Sequence, residues 1–294
     1  MRRVTKRSDR STGKSAASSI MRKENMTFAR KTLARPVSLF GHGLHTGARV
    51  GVCVYPGGTG IWFRCGPERV RASVENVSGT ERCTRLGGIS TVEHVLSALA
   101  GLEITEAEIE LTAPELPALD GSAKEYMDAV LDSGLETVGT AILEGPLESV
   151  DVQDESVRVV VSPGSGRWQY TFLAPERWPY EMVADVEDVV SEYAEQIAPA
   201  RTWVFEDEIP ALKARGLGRG LNEESLVQIG KDGYLSPPRF ANEPARHKLL
   251  DVIGDLYLSG VPIRMLDVSA KCSGHRAHVE AARRLSESVR LAPV

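Results

Sequence analysis

Two stretches of the chain run through the same order of elements, and this repetition constrains the fold more than any other feature of the sequence. In the first, "STVEHVLSALAGL" spaces Val92, Val95, Leu96, Leu99 and Leu102 as one helical face. The alternating "EAEIELTA" follows, then a second helix from "DGSAKEYMDAVLDSG". In the second, "ARHKLLDVIGDLYLSG" gathers Leu249, Val252, Ile253, Leu256 and Tyr257 on one helical arc. "VPIRMLDVSAK" then reads as a strand, and "CSGHRAHVEAARRLSESV" as a loop leading into a helix. Each half has a histidine near the start of its first helix, His94 and His247, then a glycine, a strand, a Gly/Ser loop and another helix. The order predicts an α+β protein of two related domains, residues 27–150 and 151–294, with a site where the paired elements meet.

Local patterns fill in this outline. Val50, Val52 and Val54 alternate in "ARVGVCVYP", as do Ala107, Ile109 and Leu111 against three outward glutamates, so both segments are half-buried strands. "SVRVVVSP" and "RWQYTFLAP" are strands joined by a turn, and "VADVEDVVSEYAEQI" reads as helix. Ser90 is placed to cap the first helix, with Glu93 as the reciprocal partner of a capping box and Gly101 as the stop. Ser122, Glu125 and Gly134 repeat that arrangement.

Composition narrows the class. A chain of 294 residues with 42% hydrophobic content buries a substantial core, and no apolar run approaches the roughly 20 residues that span a bilayer. A net charge of -5 gives no general reason to expect nucleic acid as a partner, so an anionic ligand would need a local basic site. Cys53, Cys65, Cys83 and Cys272 lack C-x-x-C spacing and read as reduced, mostly buried thiols of a cytoplasmic protein. Residues 1–26 are basic and Ser-rich, with no signal-peptide core. They are expected to be a disordered extension or a misplaced start before Met26, with organelle import as the alternative.

At about 100° per residue, His247, Lys248, Asp251 and Asp255 fill the arc opposite the apolar one. That arc is either the wet face of an amphipathic helix or a functional edge on which His247 and Asp251, one turn apart, share a metal ion. With His94 they make two imidazoles and a carboxylate, the set a catalytic zinc takes while keeping a position open for water. Glu93, beside His94, is then the candidate proton acceptor. Each residue also has a plainer reading. Glu93 completes a capping box, His94 lies on a helix surface, His275 solvates a turn, and Lys248 pairs with Asp251 or Asp255. Local pattern leaves both sets open.

The motifs "GHGLHTG", "STVEHVLSALAGL", "ELPALDGSA", "ARTW", "RHKLLDVIGDLYLSG" and "SGH" change the weighting. Their order and approximate spacing, from about Thr32 to Ala282, resemble the zinc-dependent UDP-3-O-acyl-N-acetylglucosamine deacetylases of lipid A biosynthesis. The resemblance implies a hydrolase that gives UDP-3-O-acyl-glucosamine and acetate. It implies two α+β domains, each a layered sheet and helix pair, with helices packed between the sheets and the site at the junction. By the same resemblance His94, His247 and Asp251 look like ligands of Zn2+, Glu93 the general base and His275 the general acid. Asp255 would orient His275, Thr202 would stabilise the oxyanion, and Lys248 would meet the anionic nucleotide of the UDP-linked substrate. No nucleic-acid, membrane-spanning or obligate protein partner is implied.

Several positions depart from the family pattern. Val204 stands where a glycine is common, Gly220, Leu221 and Asn222 replace a "GGS" element, Pro244 replaces an aromatic, and the segment after His275 lacks the usual asparagine pattern. By family analogy residues 171–198 shape an acyl-chain passage. Two alternatives accompany the deacetylase reading: a zinc amidase acting on another N-acetylated sugar precursor, and a non-catalytic zinc-binding relative.

Overall fold

The computed structural model describes residues 26–293, so the expected N-terminal extension, residues 1–25, lies outside the described residues. Two five-stranded sheets share one topology. The first comprises β1 (Val37–His42), β2 (Arg49–Pro56), β3 (Ile61–Cys65), β4 (Glu68–Arg71) and β5 (Ala107–Leu111), in the order β1-β2-β5-β3-β4. The second comprises β6 (Val150–Asp154), β7 (Val157–Pro163), β8 (Trp168–Ala174), β9 (Tyr180–Val186) and β10 (Leu266–Lys271), in the order β6-β7-β10-β8-β9. In each, two hairpins form first and the last strand slots between them, antiparallel to one neighbour and parallel to the other. A parallel neighbour requires a crossover, and helices supply it.

Each central strand is preceded by one helix and followed by another: α1 (Glu93–Gly101) and α2 (Lys124–Asp132) around β5, α3 (Glu243–Tyr257) and α4 (His275–Ser288) around β10. Strand alternation buries Val50, Val52 and Val54 in one sheet and Trp168, Tyr170 and Phe172 in the other, and one hydrophobic cluster takes in both sets. Helix α1 is buried along its whole length, and α3 packs against α1 as well as against β8 and β9. The helices therefore lie between the sheets. Gly254 permits the approach of α1 and α3. A Cβ there would come within 2.1 Å of the Glu93 carbonyl oxygen and 3.1 Å of its Cα. A third sheet joins Met26–Leu33, Leu135–Glu144 and Arg290–Pro293, so strands from both ends of the described chain share it.

Several local expectations fail. Ser90 does not cap α1. It lies in the short strand Ile89–Ser90 and its N–H bonds to Pro114 O, while α1 starts at Glu93 with no side-chain cap. The Ser122 hydroxyl does accept the Lys124 N–H, but the Ser122 N–H goes to Asp120 rather than Glu125, so that box is half made. Gly101 does close α1 as expected, and its missing side chain leaves room for the Tyr193 ring, but the left-handed residue is Glu103 at φ 57°. Residues 183–186, read as helix, form the end of β9, with Ala184 and Val186 buried; helix begins only where Asp188 accepts the Val190 and Ser191 N–H groups. Glu106, expected outward, is buried and held by Arg30. The four cysteines are free, but among them only Cys83 is buried.

Candidate active site

Helix α1 delivers Glu93 and His94 from its first turn, α3 delivers His247, Lys248, Asp251 and Asp255, and α4 delivers His275 and His278. The edge of α3 that carries the acids is not wet: His247, Asp251 and Asp255 are 4%, 2% and 0% exposed. A cavity of about 1240 Å³ opens here, lined by Glu93, His94, Thr202, His247, Lys248, Asp251 and His275. Burying so many ionisable groups costs several kcal/mol per ion unless each finds a partner, so their partners decide what the cluster is.

His94, His247 and Asp251 bring one donor atom each within 4.8 Å of one another. The Asp251 Oδ1 stands 3.6 Å from His247 Nε2 and 3.9 Å from His94 Nε2, and the two rings meet edge to face at 5.0 Å. These separations are too long for hydrogen bonds. A carbonyl only accepts, so His247 donates from Nδ1 to Ala200 O at 3.0 Å, and its Nε2 lone pair faces the cluster. Burial, reinforced by His247, pushes His94 down to about 3, and burial also lowers His247; both rings are neutral bases. Burial resists the charge of Asp251, but Lys248, donating to Oδ2 at 3.0 Å, and the surrounding imidazoles hold its carboxyl below the usual range. Two neutral imidazoles, the His247 lone pair turned inward, and one carboxylate converge here, a donor set that fits a borderline divalent metal.

A second buried group adjoins the first. Asp255 accepts from His275 Nδ1 at 2.8 Å and from His278 Nδ1 at 2.9 Å, while the Thr84 hydroxyl donates to its other oxygen. The Thr84 N–H donates to Glu93 Oε2 at 2.9 Å, so one threonine touches both carboxylates. Burial, then the charges of Asp255 and Asp251, push Glu93 up to about 7 against the opposing His275. Burial also disfavours the charged form of His275, but Asp255, with Asp251 and Glu93 behind it, overrides this and raises His275 to about 9. A carboxylate tuned upward beside a histidinium is an acid and base pair.

The family model described as LpxC, UDP-3-O-acyl N-acetylglycosamine deacetylase, matches residues 30–287. The chain belongs to this family. A relative from Nostoc sp. named UDP-3-O-acyl-N-acetylglucosamine deacetylase is 36% identical over 277 residues, 86% of this chain and 97% of the relative. One of the same name from Aquifex aeolicus is 34% identical over 279 residues, 89% and 94% of the two chains. The Bifunctional enzyme LpxC/FabZ of Chlorobaculum tepidum is 31% identical over 308 residues, 89% of this chain and 65% of the relative. Membership makes the chain an amidohydrolase of a metalloenzyme family, and no helix among the described residues is long and apolar enough to cross a membrane.

All eight residues singled out from the sequence gather here, Asp255 just behind the cavity wall. Lys248 pairs with Asp251, the plainer of its two readings, while also lining the cavity. The passage expectation moves: residues 171–198 contribute nothing to the lining, one apolar stretch of which is Trp203, Val204, Ile209, Leu212, Leu217 and Leu221. Val204 and Leu221, both departures from the family pattern, thus border the cavity. Pro244 occupies the first turn of α3, where its missing N–H does no harm.

Sequence reasoning missed the supports. Arg201 gives its backbone N–H and guanidinium to the buried Glu243, tying the Thr202 segment and the Ala200 carbonyl to the start of α3. Glu115 accepts the His45 and Thr46 N–H groups and shapes the "GHGLHTG" loop. Arg201 lies in "ARTW" and Glu243 just before "ARHKLLDVIGDLYLSG", but no local period links them. For Thr84 there was no signal at all.

Proposed function

We propose that this chain hydrolyses the N-acetyl group of UDP-3-O-acyl-N-acetylglucosamine, giving UDP-3-O-acyl-glucosamine and acetate, a committed step of lipid A biosynthesis. The observation that carries the reading is the meeting, in one cavity, of a buried His/His/Asp donor set with an acid and base pair of opposite tuning. His94, His247 and Asp251 would hold Zn2+, which when bound supplies Lewis-acid polarisation of the acetamide carbonyl and acidifies a water.

The chain's own groups do the rest. Glu93, held at one oxygen by Thr84, faces the cavity and takes the proton of the attacking water; a base that titrates near 7 is matched to that task. An amine does not leave as an anion, so it must receive a proton. His275, charged at neutral pH and bordering the same cavity, delivers it, with Asp255 fixing the ring through Nδ1. Thr202 donates its hydroxyl to the developing oxyanion, and Lys248 supplies positive charge toward the nucleotide end. Because α1 belongs to the first half of the chain and α3 and α4 to the second, residues 27–150 and 151–294 act as two domains that each bring part of the site. We place the reaction in the cytoplasm, where UDP-linked sugars are found.

The test is acetate release from the UDP-linked 3-O-acyl sugar by zinc-loaded protein. Turnover that disappears on chelation and returns with zinc supports the reading, and no release overturns it. Val204 and Leu221 at the cavity wall favour one second reading, an amidase acting on another N-acetylated sugar precursor. Faster release from such a compound than from the UDP-linked acyl sugar would establish it.

A further inference from the structure

His278 has no part in the reaction above, yet it is fully buried one turn after His275 and shares that residue's partner. Its Nδ1 lies 2.9 Å from Asp255 Oδ2, the same oxygen that accepts from His275 Nδ1 at 2.8 Å. An ionised carboxylate only accepts, so both rings donate from Nδ1. On the far side, Ser273 Oγ is 2.9 Å from His278 Nε2. Burial holds His278 below its ordinary range, so its ring is neutral and Nε2 accepts the serine proton. With Thr84 on Asp255 Oδ1, each carboxylate oxygen has a donor and the carboxylate is braced against rotation.

We propose that His278 is a positioning residue for proton delivery: it shares Asp255 with His275, locks the carboxylate plane, and limits how much of its charge His275 receives. The proposal rests on the function given above. Two consequences follow. With His278 absent, Asp255 turns more freely and its hold on the His275 ring loosens, which slows turnover without touching the substrate. The unshared carboxylate also binds the His275 proton more tightly, making His275 a more reluctant acid. The other titratable groups facing His275 are Asp251 on α3 and Glu93 and His94 on α1, none of which the substitution removes. A metal held by Asp255, His275 and His278 is the competing account of the cluster. It would require both Nδ1 protons to leave, whereas separations of 2.8 and 2.9 Å are those of charge-assisted N–H···O bonds.

His278→Leu and His278→Asn test the idea, because the two side chains fill similar space and only asparagine offers Asp255 an N–H. Both are made in the full chain and loaded with zinc. Expected for His278→Leu is unchanged zinc content and a kcat lower by about 10–100-fold. Its KM should stay within about threefold, and the His275 titration, read by histidine NMR in the ligand-free protein, should rise by about half a unit or more. His278→Asn restores kcat and titration to near the parent. NMR reads the coupling without turnover, so a chain inactive on the UDP-linked sugar would still report on His278. Parent-like behaviour of the leucine variant overturns the proposal, as does an asparagine variant equal to it in loss. A second equivalent of zinc bound by the parent and lost in His278→Asn also overturns it. If the leucine variant does not fold, the asparagine variant decides: anything other than near-parent kcat and titration refutes donation.

Discussion

Helix α3 contributes the aspartates, one turn apart, of two buried clusters of identical composition, each two histidines and an aspartate. Around Asp251 the nearest imidazole nitrogens stand 3.6 and 3.9 Å away; around Asp255 they stand at 2.8 and 2.9 Å. The difference lies in where each ring places its proton. His247 gives its Nδ1 proton to the Ala200 carbonyl and turns a lone pair toward Asp251, whereas His275 and His278 both aim their Nδ1 protons at Asp255. The first cluster has space, and on His247 a lone pair, for a cation, whereas the second is already filled with protons. Residue type and burial do not separate a metal site from a proton relay; the partner of the outer ring nitrogen does.

The comparison breaks most severely if the clusters respond alike to truncation. His94→Ala, His247→Ala and Asp251→Ala should each lower zinc from about one equivalent toward zero after dialysis, with activity lost in step. His275→Ala and Asp255→Ala should keep their metal. Elemental analysis reads the contrast directly, and full metal retention by the first three would exchange the assignments.

Next in size is the loss of proton transfer with the metal in place. Glu93→Gln and His275→Ala should each reduce kcat by on the order of 10²–10⁴ while substrate still binds. The double variant should lose far less than the product of the two, as members of one catalytic unit do. Activity of Glu93→Gln within a few-fold of the parent would return that residue to a structural role.

Acid and alkaline limbs sharpen the picture further. Activity requires Glu93 ionised and His275 protonated, so it should rise as pH passes through about 7 and fall through about 9. A bound cation lowers both limbs, and they belong to the pair as a whole. A flat profile across the stable range would dissolve the acid and base assignment. The smallest expected effect is that of Ser90→Ala. A working helix cap is worth about 1 kcal/mol, but Ser90 caps nothing and its hydroxyl makes only a long 3.3 Å bond to Pro114 O, so unfolding free energy should change by less than about 0.5 kcal/mol. A loss near the full cap value would restore the capping-box reading of Glu93.

The recurring order of elements was legible because period and spacing are local, and it anticipated the shared topology of the two sheets. Residues 183–186 were misread because Val183 and Val186 stand three apart, a helical spacing, whereas the strand buries Ala184 and Val186, and only pairing with β8 decides between them. Glu93 illustrates the same limit in the site. Its spacing from Ser90 matched a cap, yet its carboxylate accepts the Thr84 N–H, nine positions earlier in the chain. Thr84 in turn reaches Asp255, 171 positions away, a link that no window of sequence contains. Donors were readable by motif and orienting groups were not, with His278 as the intermediate case: three residues after His275, it shares a helix face that spacing alone could have flagged.

Gly254 bears on the proposed metal site as well as on packing. A chelate prefers the ion whose radius matches the gap between its donors, and rotamers can ordinarily widen or narrow that gap. Here His94 rides on one backbone and His247 with Asp251 on another, and the two backbones touch where Gly254 leaves no room for a Cβ. The bite of the chelate is therefore set by main chain against main chain. An added methyl would force the helices apart and favour a larger ion over one whose bonds to nitrogen are about 2.0–2.1 Å. In the proposed site, ion selectivity would thereby rest on a residue that offers the ion no side-chain donor.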